Sequence, residues 1–173
     1  MRWWGVRRGE GLKSWIMKLS ELVNENLILP SLTGTDISSV LKEFSQAICH
    51  SGKYADEQLL FQKLLERENQ ESTGIGNGVG IPHCKIDNLS EVILSIGYSE
   101  NGIDFRAIDG QKTYFFFVVI SPSNASVLHL RTLAALSRLL KSPNFLTKLL
   151  QRPGKSELIQ LIKQEEAGAT VAP

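Results

Sequence analysis

Apolar residues recur at helical spacing over Ile37, Val40, Leu41, Phe44 and Ile48, which predicts an amphipathic helix. Thr35 or Asp36 stands at its N-cap position, and Ser51-Gly52 ends it. A second helix is expected from about Asp56 to Glu68, with Leu60, Leu64 and Arg67 on one face at spacings of four and three. Arg67 is thereby expected on or beside the buried stripe. Before these helices, residues 19–32 read as a short helical turn followed by an extended piece, Leu27-Ile28-Leu29-Pro30. The pattern then changes period. Residues 92–98 read as a strand, Gly102 to Phe105 and Asp109-Gly110 suggest a hairpin-like connection, and Thr113 to Ile120 form a continuous apolar run. Such a run suits a central strand covered on both faces.

Ser121-Pro122-Ser123 closes that strand, and Ser123 or Ser126 is the expected cap of a third helix with Leu133, Leu136 and Leu140 on its apolar face. His129 falls on the same stripe, near the helix start. Pro143 breaks the chain, Phe145 to Leu150 form a short helix, and a last helix begins near Ser156 with Leu158, Ile159, Leu161 and Ile162. Strands alternating with helices predict an α/β fold, here a single domain with a mixed sheet and helices on both faces. Its expected extent is residues 17–165, with a frayed tail over 166–173.

Residues 1–16 break the pattern. They hold all three tryptophans, Trp3, Trp4 and Trp15, and a basic cluster including Arg2, Arg7, Arg8 and Lys13. No apolar segment of a signal peptide follows, and Gly5, Gly9 and Gly11 disfavour an amphipathic anchor helix. We read them as a disordered, dispensable extension, with Met17 resembling a natural start.

Composition adds exclusions. The chain has 173 residues, 42% hydrophobic and 21% charged, which suits one domain with a substantial core. A net charge of +1 carries no nucleic-acid footprint. No apolar run approaches the roughly 18 residues that span a bilayer. Cys49 and Cys84 make no disulfide framework and suit a reducing cytoplasm.

The candidate chemistry lies in Ser72-Thr73-Gly74-Ile75-Gly76-Asn77-Gly78-Val79-Gly80-Ile81-Pro82-His83-Cys84-Lys85. Glycine lets backbone approach a ligand closely, and a glycine-rich run can point several N–H groups into one anion-binding concavity. Pro82 stiffens the approach to His83. A dinucleotide fingerprint fails, because the third glycine falls on Val79, Ile81 or His83. His83 is therefore a candidate to carry or attack a phosphoryl group. His50 matches nothing of this kind and reads as structural.

The run resembles the signature of enzyme IIA of the bacterial phosphotransferase system, in its fructose/mannitol/nitrogen-regulatory type. Ser72, Thr73, Gly74, Gly76, Gly78, Pro82 and His83 match. Gly80 stands where alanine is usual, and Cys84, where glycine is common, adds a thiol. The likeness spans about residues 22–162, and Ser-Thr-Gly-Ile-Gly-Asn-Gly is most similar to the nitrogen-regulatory branch. The resemblance implies that His83 carries the phosphoryl group and that His129, in His-Leu-Arg-Thr-Leu, orients it. Arg67, in Arg67-Glu68, supplies positive charge. Backbone around Thr73, Gly74, Gly76, Asn77 and Gly78 helps to bind the phosphoryl oxygens. It implies no cofactor and no metal. The donor implied is a histidine-phosphorylated HPr-type protein. The acceptor is an enzyme IIB in the sugar branch, or regulated targets such as transporters and kinases in the other. A non-catalytic sensory or adaptor domain of the same fold is the alternative.

Overall fold

A computed structural model describes residues 17–169. The extension read over 1–16 and the last four residues lie outside the described part. A short 3-10 turn, Leu19–Glu21, leads into β1 (Val23–Leu29), α1 (Ile37–His50) and α2 (Glu57–Gln70). Three short strands come next, β2 (Gly74–Gly76), β3 (Val79–Gly80) and β4 (His83–Ile86), and then the long β5 (Ile93–Ile103) and β6 (Thr113–Pro122). The chain ends in α3 (Ser126–Leu140), α4 (Pro143–Leu149) and α5 (Lys155–Ala169).

The expected mixed sheet is present, in the order β1-β5-β6-β3-β2, with β4 also paired to β6. β5 and β6 are antiparallel, while β1 runs parallel to β5 and both β3 and β4 run parallel to β6. β6 is central because its side chains are apolar on both faces. Phe115, Phe117 and Val119 pack with Ala135, Leu136 and Leu139 of α3, Phe145 of α4 and Ile162 of α5. Phe116, Val118 and Ile120 pack with Phe44 and Ile48 of α1 and Leu60 and Leu64 of α2. The period of two along the strand thus serves two helical layers, and each buried phenylalanine contributes about 1.5–3 kcal/mol from burial.

Asp36 caps α1 with Ser39 in a reciprocal capping box, and Asp56 caps α2. Two expectations at element ends are corrected. Neither Ser123 nor Ser126 caps α3: Ala125 holds the N-cap with no side-chain bond. The hydroxyl of Ser123 donates to Asp87, and that of Ser126 accepts from Lys85 Nζ at 3.2 Å. Pro143 starts α4 at its first turn, behind a Ser142 cap, where its missing N–H costs nothing. α5 extends to Ala169. The Glu166 carboxylate accepts from the amides of Leu19 and Ser20, which ties the two ends of the fold together.

Candidate functional site

The glycine run, whose residues Thr73 to Gly78 are expected to help bind phosphoryl oxygens, forms a β-hairpin continued by an edge strand. Asn77 and Gly78 both have positive φ, 53° and 74°, as a tight hairpin turn requires. β2 and β3 pair across it, Gly74 with Gly80 and Gly76 with Val79. Glycine is required at 74 for space, since a Cβ there would lie 2.8 Å from Ala107 Cα. The strand pattern was invisible because glycine is depleted in strands generally.

The amides of this run are largely engaged within the protein. Thr73 N–H donates to Glu68 Oε1 at 2.9 Å, Gly74 N–H to Ser72 Oγ at 3.1 Å, and Asn77 N–H to Asp109 Oδ2 at 2.9 Å. The structural role of the hairpin is to aim the strand that comes after it. β3 and β4 lie end to end along one edge of β6, and Ile81-Pro82 bridges them. Val119 N–H donates to Pro82 O at 2.9 Å, so the step that lacks a donor still holds its place on β6.

Alternation along β4 then sorts the side chains. Cys84 and Ile86 are buried toward α1 and α2. His83 and Lys85 face the other way, toward the start of α3. The rings of His83 and His129 lie 5.4 Å apart between centroids, inclined at 51°. The structure thus brings together two histidines 46 positions apart in the chain.

Each imidazole is held at Nδ1. His83 Nδ1 lies 2.7 Å from Ile81 O. A carbonyl only accepts, so Nδ1 carries the proton, and the lone pair of the neutral ring is on Nε2. His129 Nδ1 lies 2.9 Å from Ser121 Oγ, at the end of β6. His129 is 7% exposed, whereas His83 is half-buried and accessible at the surface.

Burial lowers the pKa of His83, and the positive charge of Arg67 acts in the same sense. The bond to Ile81 and the charge of Glu68 oppose them. His129 is pushed down to about 4, by burial first and then by His83, Lys85 and Arg67. Both rings are therefore neutral near pH 7.

Arg67 is half-buried beside the stripe of α2. Glu68, one position on, occupies the stripe itself and is 1% exposed. Arg67 Nη1 donates to Glu71 O at 2.9 Å, and its charge reaches both histidines. Lys85 and Ser121 were not singled out by the sequence, and Glu68 entered only as the neighbour of Arg67 in the Arg67-Glu68 pair, with no role of its own. Alternation from His83 would have found Lys85; Ser121 carried no local signal. Cys84 is turned into the core, where burial raises its pKa to about 12, so its thiol is inert and faces away from the histidines. His50 is exposed at the end of α1. Among the described residues no group of three or more His, Cys, Asp or Glu is arranged to hold a metal ion. Among them, too, no helix is long and apolar enough to cross a membrane.

The site is thus a pair of neutral imidazoles at the start of an edge strand of a layered mixed sheet. The chain belongs to the family described as phosphoenolpyruvate-dependent sugar phosphotransferase system, EIIA 2, whose model matches residues 21–165. It is thus a phosphoryl-carrying, phosphotransferase component of that system. It is 31% identical over 150 residues to the fructose-specific EIIABC component of Bacillus subtilis, covering 87% of this chain and 24% of that protein's length. It is 26% identical over 153 residues to the nitrogen regulatory protein of Pseudomonas aeruginosa, covering 88% of this chain and 99% of that protein. Nitrogen regulatory protein IIA-Ntr from Neisseria meningitidis superposes with a TM-score of 0.78 at 21% identity, over 83% of this chain and 98% of that one. The complex of enzyme IIAMtl with phosphorylated enzyme IIBMtl from Escherichia coli contains a chain that matches with a TM-score of 0.69 at 14% identity, over 82% and 97%. At those identities the two structures speak to the fold alone.

Proposed function

We propose that this chain accepts a phosphoryl group on Nε2 of His83 from a histidine-phosphorylated HPr-type protein, and that it acts in the nitrogen-regulatory branch. The observation that carries the reading is the neutral His83 ring, its Nδ1–H donating to Ile81 O and its lone pair on Nε2, 5.4 Å from the His129 ring. In the transfer, Nε2 attacks phosphorus in line. The bond from phosphorus to the donor nitrogen breaks, and its electron pair returns to the donor imidazole. The proton stays on Nδ1, hydrogen-bonded to the Ile81 carbonyl, so no separate base is needed.

His129 orients the arriving group. With Nδ1 accepting from the Ser121 hydroxyl, its Nε2–H donates to a phosphoryl oxygen. Arg67 and Lys85 add positive charge beside the same space, the main requirement for stabilising a transferring phosphoryl group. Val127, Leu128 and Leu130 are exposed around His129, at 63%, 36% and 65%. This apolar rim suits a protein donor and a protein acceptor. Likeness over nearly the full length of a nitrogen regulatory protein supports signalling through phosphorylation state, with transporters or kinases as targets in the cytoplasm. The likeness to a fructose-specific component supports a second reading, delivery to an enzyme IIB.

The test is incubation with phosphorylated HPr-type protein. Acid-labile phosphate is expected on the wild type and none on His83→Ala, with the circular dichroism of the variant unchanged. A wild-type chain that takes no label would point instead to an adaptor domain, and undiminished labelling of His83→Ala would remove His83 from the mechanism.

A further inference from the structure

Glu68 is a carboxylate 1% exposed, at the end of α2. Burying a carboxylate is costly unless hydrogen bonds satisfy it. Here Thr73 satisfies both oxygens: its N–H donates to Oε1 at 2.9 Å, and its hydroxyl donates to Oε2. Thr73 opens the hairpin. Its carbonyl accepts from Ile81 N–H at 2.9 Å, and the Ile81 carbonyl accepts from His83 Nδ1 at 2.7 Å. An unbroken line of contacts thus runs from Glu68 through Thr73 and Ile81 to the imidazole. Arg106 Nη2 donates to the Glu68 carbonyl at 3.1 Å, and Ser72 Oγ donates to Phe105 O at 2.6 Å, which fixes this end of α2 and the hairpin to the loop after β5.

We propose that Glu68 is a positioning residue for phosphoryl transfer, holding His83 through Thr73 and Ile81 with Nδ1 protonated and Nε2 presented to the donor. The proposal rests on the reading of His83 as the acceptor. A carboxylate suits the role because it accepts from two donors of one residue at once. An apolar side chain of similar volume would pack against the same core and leave Thr73 N–H and Oγ unsatisfied, so the hairpin start would drift. Even a small displacement of a nucleophile can cost a large factor in rate. The charge of Glu68 also opposes the acidifying effect of burial on His83, which preserves its basicity.

The experiment compares wild type, Glu68→Leu, Glu68→Gln and Thr73→Val. Nitrogen-15 imidazole signals of His83 are read in the unphosphorylated proteins at neutral pH, together with rates of transfer from phosphorylated HPr-type protein. Wild type is expected to show one tautomer, Nδ1–H. Glu68→Leu should show mixed tautomers and transfer slowed by about tenfold to a hundredfold, with KM for the donor unchanged. Glu68→Gln keeps an acceptor for Thr73 N–H and should restore both readouts. Thr73→Val, which loses only the hydroxyl contact, should fall between, and it decides the matter if Glu68→Leu does not fold. A wild-type tautomer and rate in Glu68→Leu would overturn the proposal. So would Glu68→Gln as impaired as Glu68→Leu, or, where Glu68→Leu is unfolded, a Thr73→Val indistinguishable from wild type. Variants that shift the tautomer while the wild type takes no label would leave the link standing and remove the acceptor reading.

Discussion

His83 and His129 have the same side chain and different work, and their surroundings explain the difference. His83 begins an edge strand and is reachable from outside; His129 is packed into the α3 stripe with Thr132 and Leu136. A charge-assisted hydrogen bond from His129 contributes about 1.5–3 kcal/mol. His129→Ala is therefore expected still to be labelled at His83, with transfer slowed by roughly one to two orders of magnitude. Phosphopeptide mapping and transfer rates check this; label on His129 in the wild type would reverse the roles. The same residue leaves a mark on stability. Its folded pKa is about 4 against an ordinary 6.5, so between those values the unfolded chain binds more protons. Its contribution is complete above about 6.5 and is lost as pH falls through about 4. The urea midpoint of the His129 variant should accordingly fall less steeply than that of wild type across this window.

At the scale of elements, the hairpin β2–β3 is the part whose geometry tolerates least. Gly74 leaves no room, with Ala107 Cα and Cβ at 2.8 Å and 2.9 Å from where its own Cβ would be. Those atoms belong to or adjoin backbone and yield only if the loop after β5 moves. Gly74→Ala should cost about 1–3 kcal/mol by overpacking, measured by urea unfolding, and should also impair phosphoryl acceptance because the hairpin aims His83. Gly168 in α5 is the matched control, since nothing lies within 4 Å of its Cβ position. Gly168→Ala should be neutral or stabilising by up to about 1 kcal/mol, alanine being the better helix former. Equal losses in the two variants would show that the crowding at Gly74 is not what matters.

For the whole molecule, the fold is two helical layers around one sheet, with the site at the sheet edge where β4 meets the start of α3. α5 secures the beginning of the fold through Glu166, and Met17 and Leu22 add partly buried contacts to the same layer. The family match begins at residue 21, after the tryptophan-bearing segment. Deleting residues 1–16 is therefore expected to leave both the melting temperature and phosphoryl acceptance unchanged. Calorimetry and labelling of the shortened chain check this; aggregation or a lowered melting temperature would make those tryptophans part of the fold or of an interface.

The sequence by itself determined the long helices, the second half of β1 and the central strands, because burial against two layers imposes periods of 3.6 and 2 that single residues cannot hide. It also pointed to His83, Arg67 and His129, through a motif with little freedom at each position. Only the tertiary structure decided what the glycine run is. Glycine carries no period, so the hairpin emerged from pairing with β6 and from the room left by Ala107. Tertiary contacts likewise assigned Ser123 and Ser126 to Asp87 and Lys85 instead of to the cap of α3. They also buried Glu68 on the stripe of α2 beside a half-buried Arg67, a difference of one residue on a helix and too fine for spacing to resolve. The link from Glu68 to His83 runs through side chains and distant backbone groups, and hydrogen bonds between such groups leave no trace in the order of residues.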